Sequence, residues 1–453
     1  MSENNGGDIL DIAQSAVRRA KQLGADEAEC TLAEGEEFSA GVRMREIENL
    51  KQAGSKGAGI RVLIGRNTGS SHTSDLSSEG IEAMVRSAVD LAKMTTEDPH
   101  AGLPEPEELG SFAGDLALYH EDIAKLETEW KIRQALRAEE VALGVDPRIE
   151  NSEGGSFDSY VGARAFANSR GFAGQYRMSS CSLSVVPVAK ENGGMERDYW
   201  YTSSRAAARL ESADEVGRIA AQRALRRLNP RKIDTQKAPI VFDPITAKSL
   251  LGELADAVNG GAIYRHASFL VGKIGEKIAS DLVTIVDDST IPGLFGSAPF
   301  DDEGVPSRRT VVVERGVLKS YLLNTYCARK LGLKTTGSAS RGLSGNAGVG
   351  TGNFYLEAGA KSEASIIAGI KRGLYLTQLM GATANSVTGD YSSGASGLWI
   401  ENGEIAYPVA EITIAGNLKQ MLLDVSQVGS NLEFRSSVAS PTIVIQEMTI
   451  SGR

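Results

Sequence analysis

The sequence predicts a multi-domain fold of mixed α/β and α+β class: an N-terminal α/β unit, a central α+β unit and a β-rich C-terminal domain with a few helices. Three observations predict it. The chain has 453 residues, too many for one small core at roughly 150 residues per domain. Glycine (50) far outnumbers proline (13), which favours tight turns and hairpins over proline-rich linkers. Segments of helical period give way along the chain to segments rich in β-branched residues and turn signals.

In chain order, Ile9, Ile12, Ala13, Ala16, Val17, Ala20 and Leu23 recur at helical spacing before Gly24, which predicts a first helix. Short alternating segments over 27–42 and the run GAGIRVLI at 57–64 read as strands. Ile81, Met84, Val85, Ala88, Leu91 and Ala92 mark one face of a second helix over 78–94, completing an α/β domain over residues 1–100. Residues 101–117, acidic and carrying Pro104 and Pro106, read as a linker. A central α+β domain over 118–233 follows, with a long helix at 123–143 and strands over 151–201. Its last helix opens with Ser212 and Glu215 at capping-box spacing and stops before Asn229-Pro230. The β-rich C-terminal domain, 234–453, opens with a strand at 238–242 and a helix at 245–258. Hairpins then turn at Glu314-Arg315-Gly316 and Glu401-Asn402-Gly403, with a helix at 364–373 and a final strand at 441–450.

The 48 Lys and Arg against 58 Asp and Glu give a net charge of −10, the wrong sign for nonspecific nucleic-acid binding. Arg223, Arg226, Arg227, Arg231 and Lys232 are concentrated, but at the end of a helix, where cations suit the negative pole. No apolar run approaches the ~18 residues of a membrane span. Residues 1–8 are polar and the first ten lack the pattern of a signal peptide, so the expected location is the cytoplasm, with no membrane contact. Cys30, Cys181 and Cys327, odd in number and far apart, suggest neither disulfides nor a zinc ribbon.

Chemistry-bearing patterns are sparse. The four histidines, His72, His100, His120 and His266, show no His-Glu-x-x-His spacing, and His266 in Tyr264-Arg265-His266 is the most notable of them. The acidic stretches Asp301-Asp302-Glu303-Gly304 and Gly389-Asp390-Tyr391 read first as turns and second as the polar lining of a groove. The run GNAGVGTG at 345–352 has no dinucleotide fingerprint and no basic residue, which leaves a mobile loop or a close backbone approach. Ser392, Ser393 and Ser396 have no histidine nearby in sequence to activate them.

The stretches TGDYSSGASG at 388–397, LWIENGEIAYP at 398–408 and EITIAGN at 411–417 resemble the C-terminal signature of the TldD/PmbA family. FDDEGVP at 300–306, YCARKLG at 326–332, SDLS at 74–77 and EMTISG at 447–452 extend the resemblance over nearly the whole chain. It implies a cytoplasmic zinc-dependent peptidase system in which a TldD-type and a PmbA-type (TldE) subunit form a heterodimer around a peptide-accepting cavity. In the TldD type, a His-Glu-x-x-x-His motif on the helix after the first strand of the C-terminal domain holds zinc together with a Cys near the C-terminus. Here LLGELADA occupies that helix at 250–257, so Gly252 and Ala257 stand at the histidine positions and only Glu253 matches. FRSSVASP at 434–441 contains no Cys. Gly and Ala have no donor atoms, and a lone Glu is not a ligand set. The resemblance therefore implies the PmbA (TldE) branch: no catalytic, cofactor-binding or metal residues in this chain, zinc in a TldD-type partner, and no direct nucleic-acid contact.

Asp390, Tyr391, Trp399 and His266 are the candidate lining of a peptide cavity. An edge strand can hold an extended peptide through main-chain hydrogen bonds, so the hairpin around Trp399 and the loop at 345–352 are expected to line or gate it. Two rival readings stand beside this one. The first is a peptide- or protein-binding regulator without proteolysis, of the gyrase- or toxin–antitoxin-modulator type. The second is a self-sufficient hydrolase using His266, Asp256 or Glu253. A homodimer is a further expectation when the partner is absent.

Overall fold

The computed structural model describes residues 8–452, so nearly all of the polar start lies outside the described residues. The first half runs α1 (Ile9–Gln22), β1 (Glu27–Arg43), β2 (Glu46–Ile64), β3 (Asn67–Thr73), α2 (Ser78–Met94), α3 (Glu121–Ala124) and α4 (Thr128–Gly144). β4 (Ile149–Asn168), β5 (Ala173–Glu191), β6 (Gly194–Arg197), β7 (Trp200–Ser204) and α5 (Ala213–Leu225) follow. The second half begins β8 (Gln236–Phe242), α6 (Pro244–Ala257), α7 (Gly260–Tyr264), β9 (Ile285–Asp288), β10 (Arg309–Glu314), β11 (Val317–Leu318) and α8 (Thr325–Leu331). It continues β12 (Ala339–Ser340), β13 (Gly348–Val349), β14 (Phe354–Leu356), α9 (Glu363–Ala368), β15 (Arg372–Ala384) and β16 (Asp390–Glu401). β17 (Glu404–Asn417), α10 (Leu418–Leu423), β18 (Val425–Val428), β19 (Val438–Ala439) and β20 (Ile443–Ser451) end it.

Strands β1 to β7 form one sheet in the order β3-β2-β1-β4-β5-β6, with β7 beside β5. Alternate side chains of a strand share a face. Cys30 lies opposite Ala167, Leu32 opposite Ala165 and Phe157 opposite Leu183, so this buried row points to one side. α1 and α2 cover one end of that side with Ala16, Val17, Val85 and Ala88. α4 and α5 cover the other end with Ala135, Ala138, Val216 and Ala220. The opposite side carries Glu29, Arg61 and Arg164, and there Tyr176 meets Phe300 of the C-terminal unit at 5.5 Å between rings.

Four features differ from expectation. β1 pairs with β4 from Glu29 against Asn168 to Val42 against Gly155, so the units at 1–100 and 118–233 share one sheet. Residues 101–117 separate them in sequence and not in hydrogen bonding. The short segments expected over 27–42 are a single 17-residue strand, because β2 pairs along its length on one edge and β4 on the other. The helix expected at 123–143 breaks at residues 125–127, which lets both Ile123 and Leu126 reach the core beneath α4. The helix expected at 364–373 ends at Ala368, since Arg372 already belongs to β15.

In the C-terminal unit the order β17-β16-β15-β8-β20-β18 closes on itself where β17 also pairs with β20. A second sheet runs β11-β10-β9-β14-β19, and β12 pairs with β13. α6 buries Leu250, Leu251 and Leu254 against a core shared with Phe242, Trp399, Ile414 and Ile450. Among the described residues no helix is long and apolar enough to cross a membrane.

Candidate functional site

The helix of the altered motif is well built. Asp243 caps α6 by accepting the Thr246 N–H at 2.8 Å, and Pro244 occupies the first turn, where its missing N–H costs nothing. Near its other end the three motif positions have unlike surroundings. A Cβ added to Gly252 would meet no atom within 4 Å. Ala257 is wholly buried in the core. Glu253 is half-buried, and burial raises its pKa, with Asp256 adding to the rise and a hydrogen bond from the Ala384 N–H opposing it. None of this supplies a metal-binding set: two of the three positions lack donor atoms, and among the described residues no three His, Cys, Asp or Glu side chains converge to hold an ion. The three thiols are buried, and burial pushes Cys30 and Cys181 up to about 12 and Cys327 to about 11, far from the thiolate form that binds metals.

The four candidate lining residues do not share one opening. Asp390 is exposed, its carboxylate held below the usual range by the Thr388 hydroxyl at 2.8 Å and the Asn417 amide at 3.1 Å. Tyr391 and Trp399 are 2% and 1% exposed, so in the single chain neither lines a cavity. Both fall on inward positions of β16, and their hydroxyl and indole N–H find no hydrogen-bond acceptor among the described residues. Burial, with the charge of Glu253, raises the Tyr391 phenol. His266 is exposed, in the left-handed region at φ 56°. The loop at 345–352 is tied down rather than loose. Asn324 donates to the Ala347 carbonyl at 2.7 Å, Asn259 donates to the Val349 carbonyl at 3.0 Å, and a Cβ on Gly352 would collide with Ser289.

The FDDEGVP stretch, by contrast, gathers the densest group of buried charges. Asp301 accepts the Glu303 and Val305 N–H groups, each at 2.9 Å, and the Ala339 N–H at 3.0 Å. Glu303 accepts the Thr325 N–H at 2.8 Å. Both acids are driven up chiefly by burial, with Glu303 acting on Asp301 and Glu29 acting on Glu303. Asp302 pairs with Arg164 at 2.8 Å. Glu29, fully buried on β1, holds Arg61 and Arg341 at 2.5 Å each. Burial works against its charge, but the two guanidinium groups outweigh it and hold its pKa below the usual range. Asp287 accepts the Gly352 N–H at 2.8 Å, and burial, aided by Asp288, pushes it up to about 7. A small cavity of about 240 Å³ opens beside Arg164, Asp301, Asp302 and Gly352. The stretch is the turn expected, with the Gly304 N–H donating to the Asp301 carbonyl at 3.0 Å, but the turn reading did not foresee the buried ionisable groups gathered around it. The available signal was Arg61, a single charge within the apolar run GAGIRVLI at 57–64; Glu29 stands among other acids of β1 and carries no such mark.

Larger clefts lie between units. One of about 1420 Å³ is bounded by Ile9, Lys56, Tyr119, Arg177 and Pro299, with the Arg177 guanidinium 3.8 Å from the centre of the Tyr119 ring. Another, of about 480 Å³, lies between α5, the start of α6 and the segment around Arg435.

Comparison with known proteins follows the same division of the chain. Residues 28–92, 121–228 and 235–452 match domain 1, the central domain and the C-terminal domain of the PmbA/TldA metallopeptidases. The chain is 40% identical over 445 residues to metalloprotease PmbA of Escherichia coli O157:H7, covering 98% of this chain and 96% of that protein. A PmbA homolog of Haemophilus influenzae is 37% identical, with 96% and 94% covered. A solved structure from Bacteroides thetaiotaomicron VPI-5482, whose name describes a modulator of DNA gyrase, matches with TM-score 0.91 at 30% identity over the whole of both chains. TldE from Thermococcus kodakarensis, 22% identical, shares the fold with TM-score 0.87 over 97% of this chain and all of its own. Sequence and fold thus agree on one assignment: the chain belongs to the PmbA/TldD metallopeptidase family, in its PmbA (TldE) branch.

Proposed function

We propose that the chain is the zinc-free subunit of a cytoplasmic, heterodimeric TldD/TldE-type metallopeptidase acting on small or unfolded peptides. One observation carries this reading. The helix that would present the zinc-binding histidines has Gly252 and Ala257 in their places, and the second position is packed into the core. Zinc then belongs to a TldD-type partner, and this chain completes or positions the peptide chamber. Glu253, left without a metal, serves as an ordinary residue of α6.

The test is zinc content and peptidase activity of this chain alone, of a TldD-type subunit alone, and of the two co-purified. Zinc and activity in the mixture, with neither in this chain alone, are the expected result. Stoichiometric zinc with activity in this chain by itself would sink the proposal. A regulator that acts without proteolysis is favoured by the gyrase-modulator names of the solved relatives. The same measurement separates it, since a mixture that forms a complex yet stays inactive supports the regulator.

A further inference from the structure

Residues 98–105 cross the junction between the seven-stranded sheet and the C-terminal unit, and arginines grip them by the backbone. The Ala101 carbonyl accepts from Arg66, the Gly102 carbonyl from Arg61 at 3.5 Å, the Leu103 carbonyl from Arg329 at 2.6 Å and the Pro104 carbonyl from Arg170 at 2.9 Å. Arg61 and Arg66 stand on β2 and in the turn after it, and Arg170 stands in the turn between β4 and β5. Arg329 comes from the other side, on α8. The same helix adds the Tyr326 hydroxyl, which donates to Asp98 at 2.8 Å. At Gly102 the two sides nearly meet: a Cβ there would stand 2.5 Å from Arg329 Nη1 and 3.0 Å from Arg66 Nη1.

This grip is mainly polar. Residues 101–104 are buried, but they pack into a cluster of only three apolar residues, Leu63, Ala101 and Leu103. A segment with few apolar contacts opens more readily than the core around it. At its end stands Glu105, whose carboxylate takes Arg170 of the sheet at 2.6 Å and Arg329 of the C-terminal unit at 3.2 Å. The Glu105 side chain is 57% exposed, so dissolved ions screen both contacts. The Glu29 pairs deeper in the same junction are at most 7% exposed and are shielded.

We infer that residues 98–105 form a releasable, salt-sensitive strap between the sheet and the C-terminal unit, with Glu105 as its catch. The strap undocks as one segment while the units on either side keep their folds. The inference does not depend on the zinc-free reading.

Hydrogen exchange of the full chain, followed by mass spectrometry over a series of low urea concentrations, tests it. The Ala101 N–H, which donates to the Asp98 carbonyl at 2.9 Å, and the Leu103 N–H, which donates to Glu27 at 3.2 Å, report on the strap, and the amides of β8 report on the whole fold. The strap is expected to exchange at least about a hundredfold faster than β8 and to respond little to urea, because its opening exposes little surface. Raising sodium chloride from about 0.05 M to about 1 M is expected to speed strap exchange roughly two- to tenfold. Glu105→Gln is expected to do the same at low salt and to blunt the salt effect, and Arg329→Gln to speed exchange roughly ten- to a hundredfold. The exposed Glu105→Gln carries the test if the arginine variant fails to fold. Exchange of strap and β8 at one rate with one urea dependence, or strap exchange in Glu105→Gln equal to the parent's, would each overturn the inference.

Discussion

A carboxylic acid that keeps its proton near neutrality makes folding sensitive to pH, and Asp287 is such a group. Its ordinary value is 3.8, and burial lifts it to about 7 in the folded chain. Between those two values the folded state holds a proton that the unfolded state has lost, so stability falls as pH rises from about 4 to about 7 and is level above that. Asp287→Asn keeps an acceptor for the Gly352 N–H without the titration. The variant is expected to gain about 2–4 kcal/mol relative to the parent at pH 8 and nothing near pH 4, read from urea unfolding at both pH values. An identical pH dependence in the two proteins would refute it. This residue was illegible in the sequence. Asp287 and Gly352 meet because β9 lies beside β14, a pairing of segments far apart in sequence. The helix that carries Gly252 and Ala257 was legible from its apolar period, whereas the meaning given to these two positions came from the resemblance to the TldD type.

Among the elements, the helix start at Ser212 and the hairpin at Asn402-Gly403, both announced by local chemistry, formed where that chemistry stands. Ser212 accepts the Glu215 N–H at 3.2 Å at the start of α5, and Asn402, at φ 52°, turns β16 into β17. Strand length was hidden, since β1 and β2 are extended by each other and by β4, and pairing of that kind leaves no mark within one segment. Trp399 shows the same limit: its hairpin was readable, but the inward face of β16 is set by the closed sheet. Glycine in β2 has a comparably remote cause. A Cβ on Gly59 would stand 1.3 Å from the Leu343 carbonyl oxygen, because the C-terminal unit lays its loop across this strand. Gly59→Ala is expected to cost about 1–3 kcal/mol or more, with increased proteolytic cutting near Leu343. A thermal midpoint equal to the parent's would contradict it.

For the whole molecule, the buried charges around Glu29 fasten the seven-stranded sheet to the C-terminal unit. Arg341 reaches from one to the other, donating to Glu29 at 2.5 Å and to the Thr31 hydroxyl at 3.2 Å. Arg341→Ala leaves the fully buried Glu29 with Arg61 alone, and the expected loss is about 3–5 kcal/mol, seen as a lower urea midpoint. Glu29→Gln in the Arg341→Ala background is expected to recover part of that loss, since the unpaired charge goes too. No recovery would mean that the cost lies in packing. Composition and period foretold the multi-domain, mixed class, but could not show that the first two units are joined through β1 and β4.

The same topology has a consequence for synthesis. β8 is an inner strand flanked by β15 and β20, and β20 lies about 200 residues further along the chain. At ribosomal speed that is a wait of roughly 10 to 40 s, during which one side of β8 has no strand beside it. The nascent C-terminal half stays an open sheet until β20 has been made, so a chain stopped just before β20 would keep β8 paired with β15 on one side and leave its other side without a strand.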